Sequence, residues 1–185
     1  FPIFCEIYVE SMKGLNRDHV EFISEQVIKL KGERVYKFTR ERIRWHQSQG
    51  HKIIFISGSP DFLVSKMAKK YGATDFCGST YLVDENNNFT GEVIPMWDSK
   101  SKQKSIADFT KKYNLDLSSS YAYGDTHGDV TMFRAVGHPI AINPAKELLF
   151  DIRNDEELNK KTVIAIERKD VVYKLTGDVD IFETF

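Results

Sequence analysis

Three short stretches of this chain carry residue types and spacings suited to phosphate and metal chemistry. The first is Ser57-Gly58-Ser59-Pro60, which follows the apolar run Ile53–Ile56 and precedes a helical pattern. A hydroxyl, a glycine that admits close backbone approach and the N–H groups of a helix start together make an anion site. The same residues also serve as a plain strand-to-helix turn with Ser59 as the cap. The second is Gly124-Asp125-Thr126-His127-Gly128-Asp129, with two carboxylates four residues apart after another apolar run. Mg²⁺ takes one or two carboxylates plus water and substrate phosphate. Acids at a helix start also simply complement its dipole. The third is Lys100-Ser101-Lys102-Gln103-Lys104, at the opening of an amphipathic helix. Cations there oppose the macrodipole, and a broken local rule often marks a site. One lysine could offset phosphate charge in a transition state, while the others form a solvated face.

These residues need elements to hold them. Lys52–Ser57 is β-branched, almost continuously apolar, and reads as a strand buried on both faces. A helix follows, with Ser59 as N-cap, Pro60 in its first position and Leu63, Met67 and Tyr71 on its buried face. Residues 78–83 and 89–93 read as a hairpin around the turn 84–88. Ile106, Phe109 and Tyr113 mark the inner face of the lysine-opened helix. Ser120–Tyr123 is a strand ending at Gly124-Asp125, followed by a helix carrying Val130 and Phe133. His138–Asn143 and Thr162–Ile166 are further strands. Upstream, residues 1–12 are helical in pattern. Val20, Ile23, Val27 and Leu30 form one face of a second helix that Gly32 ends. Val35, Phe38 and Trp45 lie on a third, which stops at Gly50. The alternation of strand and helix predicts an α/β domain with a parallel sheet, its chemistry beyond the carboxyl ends of the strands.

Composition excludes several classes. The 185 residues allow one domain, with room for a small subdomain. Twenty-six basic against 27 acidic residues leave a net charge of -1, which argues against a nucleic-acid binder. No apolar run is long enough to span a membrane. Cys5 and Cys77 have no metal-ligand spacing and read as reduced thiols of a cytoplasmic protein.

The order of the pieces resembles the haloacid dehalogenase (HAD) superfamily of phosphohydrolases, in its phosphoserine-phosphatase-like branch (subfamily IB), over roughly residues 35 to 166. Ser57 matches the Ser/Thr of the second motif, with Gly58 beside it at the phosphate. Lys102 best matches the lysine of the third motif, with Lys104 and Lys100 as the other candidates. Asp125 matches the Mg²⁺ ligand of the fourth motif and Asp129 the acid that supports it. The resemblance implies a Rossmann-like parallel sheet flanked by helices over residues 35–185, with residues 1–34 as the remainder of a helical cap. It implies a Mg²⁺-dependent phosphatase that forms an aspartyl-phosphate and acts on a small phosphorylated metabolite. Ser57, Lys102 and Asp125 should then converge at one sheet edge. The family's nucleophile motif, Asp-x-Asp-x-Thr at the end of a first strand, does not occur in these 185 residues. Asp178-Val179-Asp180 has the spacing, but it follows Thr176-Gly177 rather than an apolar strand. The expectation is therefore that the first strand and the start of the cap lie outside this chain, and that the chain alone is inactive. Two other readings remain: a non-catalytic α/β binding domain, and a two-metal phosphoesterase using Asp125 and His127.

Overall fold

The structure, a computed structural model, describes residues 2–180. Residues 181–185, the end of the expected core, lie outside the described residues, as does Phe1 of the expected cap. The chain forms two compact units, Phe1–Trp97 and Asp98–Phe185. Both are mixed α/β, as expected, with helices packed against partly parallel sheets.

The first unit contains α1 (Pro2–Met12), α2 (Arg17–Lys31), α3 (Lys37–Ser48), β1 (Ile54–Pro60), α4 (Asp61–Lys70), β2 (Asp75–Val83) and β3 (Phe89–Ile94). Helix α4 links the parallel strands β1 and β2, and β2 turns back antiparallel into β3. The hairpin forms because Asp84 accepts the Asn86 and Asn88 N–H groups (3.0 and 2.8 Å) while Asn87 takes a left-handed φ of 61°. Phe62, Tyr81 and Phe89 meet with centroids 5.7–6.2 Å apart, and Val9 and Met12 close the cluster from α1.

Three expectations change here. The stripe Val20, Ile23, Val27, Leu30 does not face the core. Val20 is half-buried, but Ile23, Val27 and Leu30 are exposed. Helix α2 has a second face, through Val20, Ser24 and Ile28, and this is the one directed to α4, pinned by Lys66 Nζ on Glu21 (3.3 Å). On α4 the fully buried side chains are Phe62, Val64 and Ala68, while Leu63, Met67 and Tyr71 are half-buried. The helix lies against β1, β2 and α2, so no single stripe carries its burial, and the Tyr71 hydroxyl is spent on the Gly32 carbonyl (2.7 Å). Strand β1 is half-buried through Ile54–Gly58 rather than buried on both faces. Among the described residues it pairs with β2 alone.

The second unit contains α5 (Ser99–Tyr113), β4 (Tyr121–Gly124), a 3₁₀ turn (His127–Asp129), α6 (Val130–Ala135), β5 (His138–Ile142), α7 (Lys146–Asn154), α8 (Glu156–Lys161), β6 (Val163–Arg168) and β7 (Val171–Leu175). Strands β4, β5 and β6 are parallel and β7 returns antiparallel to β6. Phe133, Ala141, Leu148, Ile152, Leu158 and Ile164 are almost fully buried and form the core. The sequence pattern had not indicated α7, α8 or β7. Val171, Val172 and Tyr173 on β7 are exposed, so that strand lacks the in-out alternation by which strands are read. Among the described residues no helix is long and apolar enough to cross a membrane, and both cysteines are free thiols.

Candidate active site

The tip of β4 is built around Asp129. Its Oδ2 accepts from the backbone N–H of Asp125 and from the N–H and hydroxyl of Thr126, each at 3.2 Å. The bond to the Thr126 N–H is the carboxylate half of a capping box. Its Oδ1 accepts from Lys102 Nζ at 2.7 Å, with the two side chains only 8% and 10% exposed. Gly124 leaves room for this arrangement, since a Cβ there would lie 2.6 Å from the Asp129 carboxylate. The lysine reaches Asp129 because α5 presents Lys102 and Ser105 inward. Lys104, about 200° further round the helix, is exposed. The electrostatic anomaly of a lysine-opened helix is offset locally. Asp98 caps α5 by accepting from the Ser101 N–H (2.8 Å), which holds its carboxyl below the usual range, and Lys102 is neutralised by Asp129.

Asp125 differs from Asp129. Burial pushes its carboxyl above the usual range, and the neighbouring Asp129 charge adds to the rise, against weaker relief from its own N–H and Lys102. An exposed but partly desolvated carboxylate beside the buried Asp129, with Lys102 nearby, leaves negative charge that a divalent cation can balance. That donor set fits Mg²⁺, which needs few protein ligands. The backbone around Asp125 is held from α7, whose N-cap residue Ala145 donates its N–H to the Asp125 carbonyl (2.8 Å). His127, the second member of the two-metal alternative, lies exposed with Nδ1 2.5 Å from Asp151 Oδ2. Among the described residues no group of three or more His, Cys, Asp or Glu side chains is placed to hold a metal.

Ser57 and Gly58 belong to the first unit, at the point where the register of β1 against β2 shifts between Ile56 and Pro60. The Ser57 hydroxyl accepts from the Ser59 N–H (3.2 Å). The expected cap is corrected: Ser59 does not cap α4. The strand runs on through Pro60, which occupies the N-cap position without a side-chain bond, as proline must. Sequence reasoning missed Ser79, which is fully buried, donates to the Gly58 carbonyl (2.8 Å) and accepts from the Met96 N–H (3.0 Å). It thus fixes the Ser57–Gly58 turn to the segment before Trp97. A Cβ on Gly58 would lie 3.1 Å from Trp97 Cβ, so the glycine permits a close approach. Thr126 was also missed, although Thr126-x-x-Asp129 is a visible capping-box spacing. Asp178 lies in the loop after β7, accepting from Asn159 (2.7 Å).

The family model of haloacid dehalogenase-like hydrolases matches residues 3–134. The chain belongs to this family. Among curated relatives, it is 29% identical over 137 residues to an inhibition of morphological differentiation protein of Streptomyces azureus, covering 74% of this chain and 50% of that protein. It is 27% identical over 129 residues to phosphoserine phosphatase SerB1 of Mycobacterium tuberculosis (strain ATCC 25618 / H37Rv), covering 69% and 41%. The chain thus spans half or less of the length of these two relatives. A solved substrate-bound phosphoserine phosphatase complex shares the fold, with a TM-score of 0.63 at 22% identity, over 80% of this chain and 67% of that one. The HAD-like fold and the phosphoserine-phosphatase-like branch expected from the motif order therefore hold.

Proposed function

We propose that the whole protein is a Mg²⁺-dependent phosphomonoester hydrolase acting on a small phosphorylated metabolite of the phosphoserine type. The observation that carries this reading is the buried Lys102–Asp129 pair next to the exposed Asp125 carboxylate at the tip of β4, in a chain of HAD membership. Asp125 is the Mg²⁺ ligand and Asp129 its support. Bound Mg²⁺ supplies charge neutralisation for the phosphoryl oxygens. Ser57 and the Gly58 backbone hold phosphoryl oxygens, and Lys102 offsets charge as the phosphoryl group transfers. The nucleophile is an aspartate of an Asp-x-Asp-x-Thr strand that these 185 residues do not contain, and residues 1–34 are part of a helical cap. An aspartate oxygen attacks phosphorus, the alcohol leaves with a proton from the second aspartate, and water then attacks the aspartyl-phosphate, releasing phosphate and restoring the carboxylate.

The test is a phosphate-release assay with phosphoserine and other phosphomonoesters, with and without Mg²⁺. It compares the protein encoded with its upstream sequence, the chain from Phe1, and the Ser57→Ala variant of the longer protein. Mg²⁺-dependent turnover by the longer protein alone, reduced ~10²–10³-fold by Ser57→Ala, is the expected result. Turnover by the chain from Phe1 would place the nucleophile within it, with Asp178 and Asp180 the first candidates. Absence of turnover in the longer protein would favour a binding module.

A further inference from the structure

Strand β1 does not run evenly against β2. Ile56 lies opposite Cys77 and Pro60 opposite Ser79, so Ser57, Gly58 and Ser59 together face Gly78 alone. An irregularity of this kind interrupts the ladder and re-aims side chains, and it recurs beside active sites. Gly78 permits the close approach, since a Cβ there would lie 2.8 Å from Asp61 Cα and 2.9 Å from the Ser59 carbonyl oxygen. At the interruption the side chain of Ser79, fully buried, takes up a backbone group of β1. Its oxygen accepts from the Met96 N–H (3.0 Å) and its proton goes to the Gly58 carbonyl (2.8 Å). The Gly58 carbonyl and the Ser59 N–H belong to one peptide plane, and in a trans peptide they point in opposite directions. Holding the carbonyl therefore aims the N–H, and the Ser59 N–H donates to the Ser57 hydroxyl oxygen (3.2 Å). A serine hydroxyl has one proton and two lone pairs. With one Ser57 lone pair taken by Ser59, the Ser57 proton is directed away from the turn. Hydrogen bonds linked in this way polarise one another.

We propose that Ser79 is a positioning residue for the phosphate site: by holding the Gly58–Ser59 peptide it fixes the Ser57 hydroxyl as a donor to a phosphoryl oxygen. The inference rests on the reading of Ser57 as a phosphoryl ligand, and adds the group that sets its direction. Ser79 is inaccessible to solvent, so its effect passes through Ser57 rather than through contact with substrate.

The test is a double-variant cycle in the protein encoded with its natural upstream sequence: the parent, Ser79→Ala, Ser57→Ala and both together. Ser79→Cys, whose thiol fills the same space but donates weakly, is measured beside them. Phosphate release from the phosphomonoesters above gives kcat and KM, urea unfolding gives stability, and exchange of the Ser59 amide proton is followed by NMR in the same proteins. Ser79→Ala should lower kcat ~10–100-fold, the scale of a small misplacement, with KM within ~3-fold of the parent. In the Ser57→Ala background the same change should cost no more than ~3-fold, because the group it orients is gone. Exchange at Ser59, corrected for overall stability, should quicken at least ~10-fold in Ser79→Ala, with Ser79→Cys between it and the parent in both readings. Equal losses of kcat in the two backgrounds would make Ser79 structural only and overturn the proposal. So would a parent-like kcat or unchanged Ser59 exchange in folded Ser79→Ala, and Ser79→Cys decides by the same criteria where Ser79→Ala does not fold. A parent without turnover sinks the phosphatase reading separately. The Ser59 amide then decides for Ser79 by itself: quickened exchange sustains its hold on the turn, and unchanged exchange overturns it.

Discussion

Removing either partner of the Lys102–Asp129 pair should cost far more than the small net contribution of the intact pair suggests. At 2.7 Å and an effective dielectric of ~20 the Coulomb energy is about 6 kcal/mol, but desolvating two ions costs several kcal/mol each, so the intact pair contributes little net. The asymmetry appears on deletion. Lys102→Met leaves a carboxylate that is 8% exposed without its cation, and the expected loss is ~3–5 kcal/mol. Asp129→Asn should cost a similar amount. It weakens the acceptor of Lys102 and also sets an amide where Asp125 N–H, Thr126 N–H or Lys102 needs an oxygen. Because both variants break one bond, the double variant should fall short of additivity by at least ~1.5 kcal/mol. Urea unfolding of the four proteins, followed by circular dichroism, reads all three quantities. Single losses below ~1 kcal/mol, the size for an exposed pair, or strict additivity would refute the argument.

Gly124→Ala should push the Asp129 carboxylate aside and lose ~2–3 kcal/mol, read as a lower urea midpoint; wild-type stability would show that the close approach is not required. Gly137→Ala should be at least as damaging, because its Cβ would meet the Ser118 carbonyl oxygen, which is backbone and cannot swing away; soluble protein with an unchanged melting temperature would contradict this. His46 gives a pH dependence. It is buried, with Nδ1 2.8 Å from His51 Nδ1, and burial followed by the Arg42 and His51 charges lowers its pKa from 6.5 to about 4. The folded state therefore binds the proton less readily than the unfolded chain. Stability present above pH ~6.5 should decline as pH falls towards 4, by about 1–2 kcal/mol after allowing for solvent screening, and His46→Gln should flatten that slope.

How legible each part was in the sequence follows from the range of the interaction concerned. Strand β4 and the acids after it were readable because a short aromatic run, Tyr121-Ala122-Tyr123, ending in Gly-Asp is a local signal, and the order Ser57, Lys102, Asp125 persisted as a family pattern. The choice of Lys102 over Lys104 was also local, since two residues on a helix point ~200° apart. The buried face of α2 was not readable. Its sequence offers two apolar arcs, and only the position of α4 decides which one is covered. Ser79 escaped notice for the same reason: a serine mid-strand carries no signal until the Gly58 carbonyl and the Met96 N–H are placed on either side of it. Helices α7 and α8 were missed because they are short: Leu148 and Ile152 lie four apart on one face of α7 but the nine residues repeat that spacing only once, and the six residues of α8 bury Leu158 alone.

Sequence alone made Asp125 and Asp129 equivalent, two acids four apart, but their surroundings assign them opposite costs. Asp129 is held by four donors and carries the fold of the β4 tip. Asp125 is an exposed carboxylate whose ionised form folding disfavours, since partial desolvation and the Asp129 charge both raise its pKa. Its charge therefore opposes stability at neutral pH unless a cation compensates, which is the energetic signature of a ligand rather than a strut. Asp125→Asn should accordingly leave the metal-free protein as stable as wild type or slightly more so, because the raised pKa means that neutralising the group removes a penalty. The same variant should weaken Mg²⁺ binding at least tenfold by titration calorimetry and abolish the rise in melting temperature that Mg²⁺ gives the parent. Asp129→Asn should show the converse, a large loss of stability with or without Mg²⁺. If Asp125→Asn instead destabilised the metal-free protein by several kcal/mol, the carboxylate would be structural, and the division of labour between the two acids would have to be reversed.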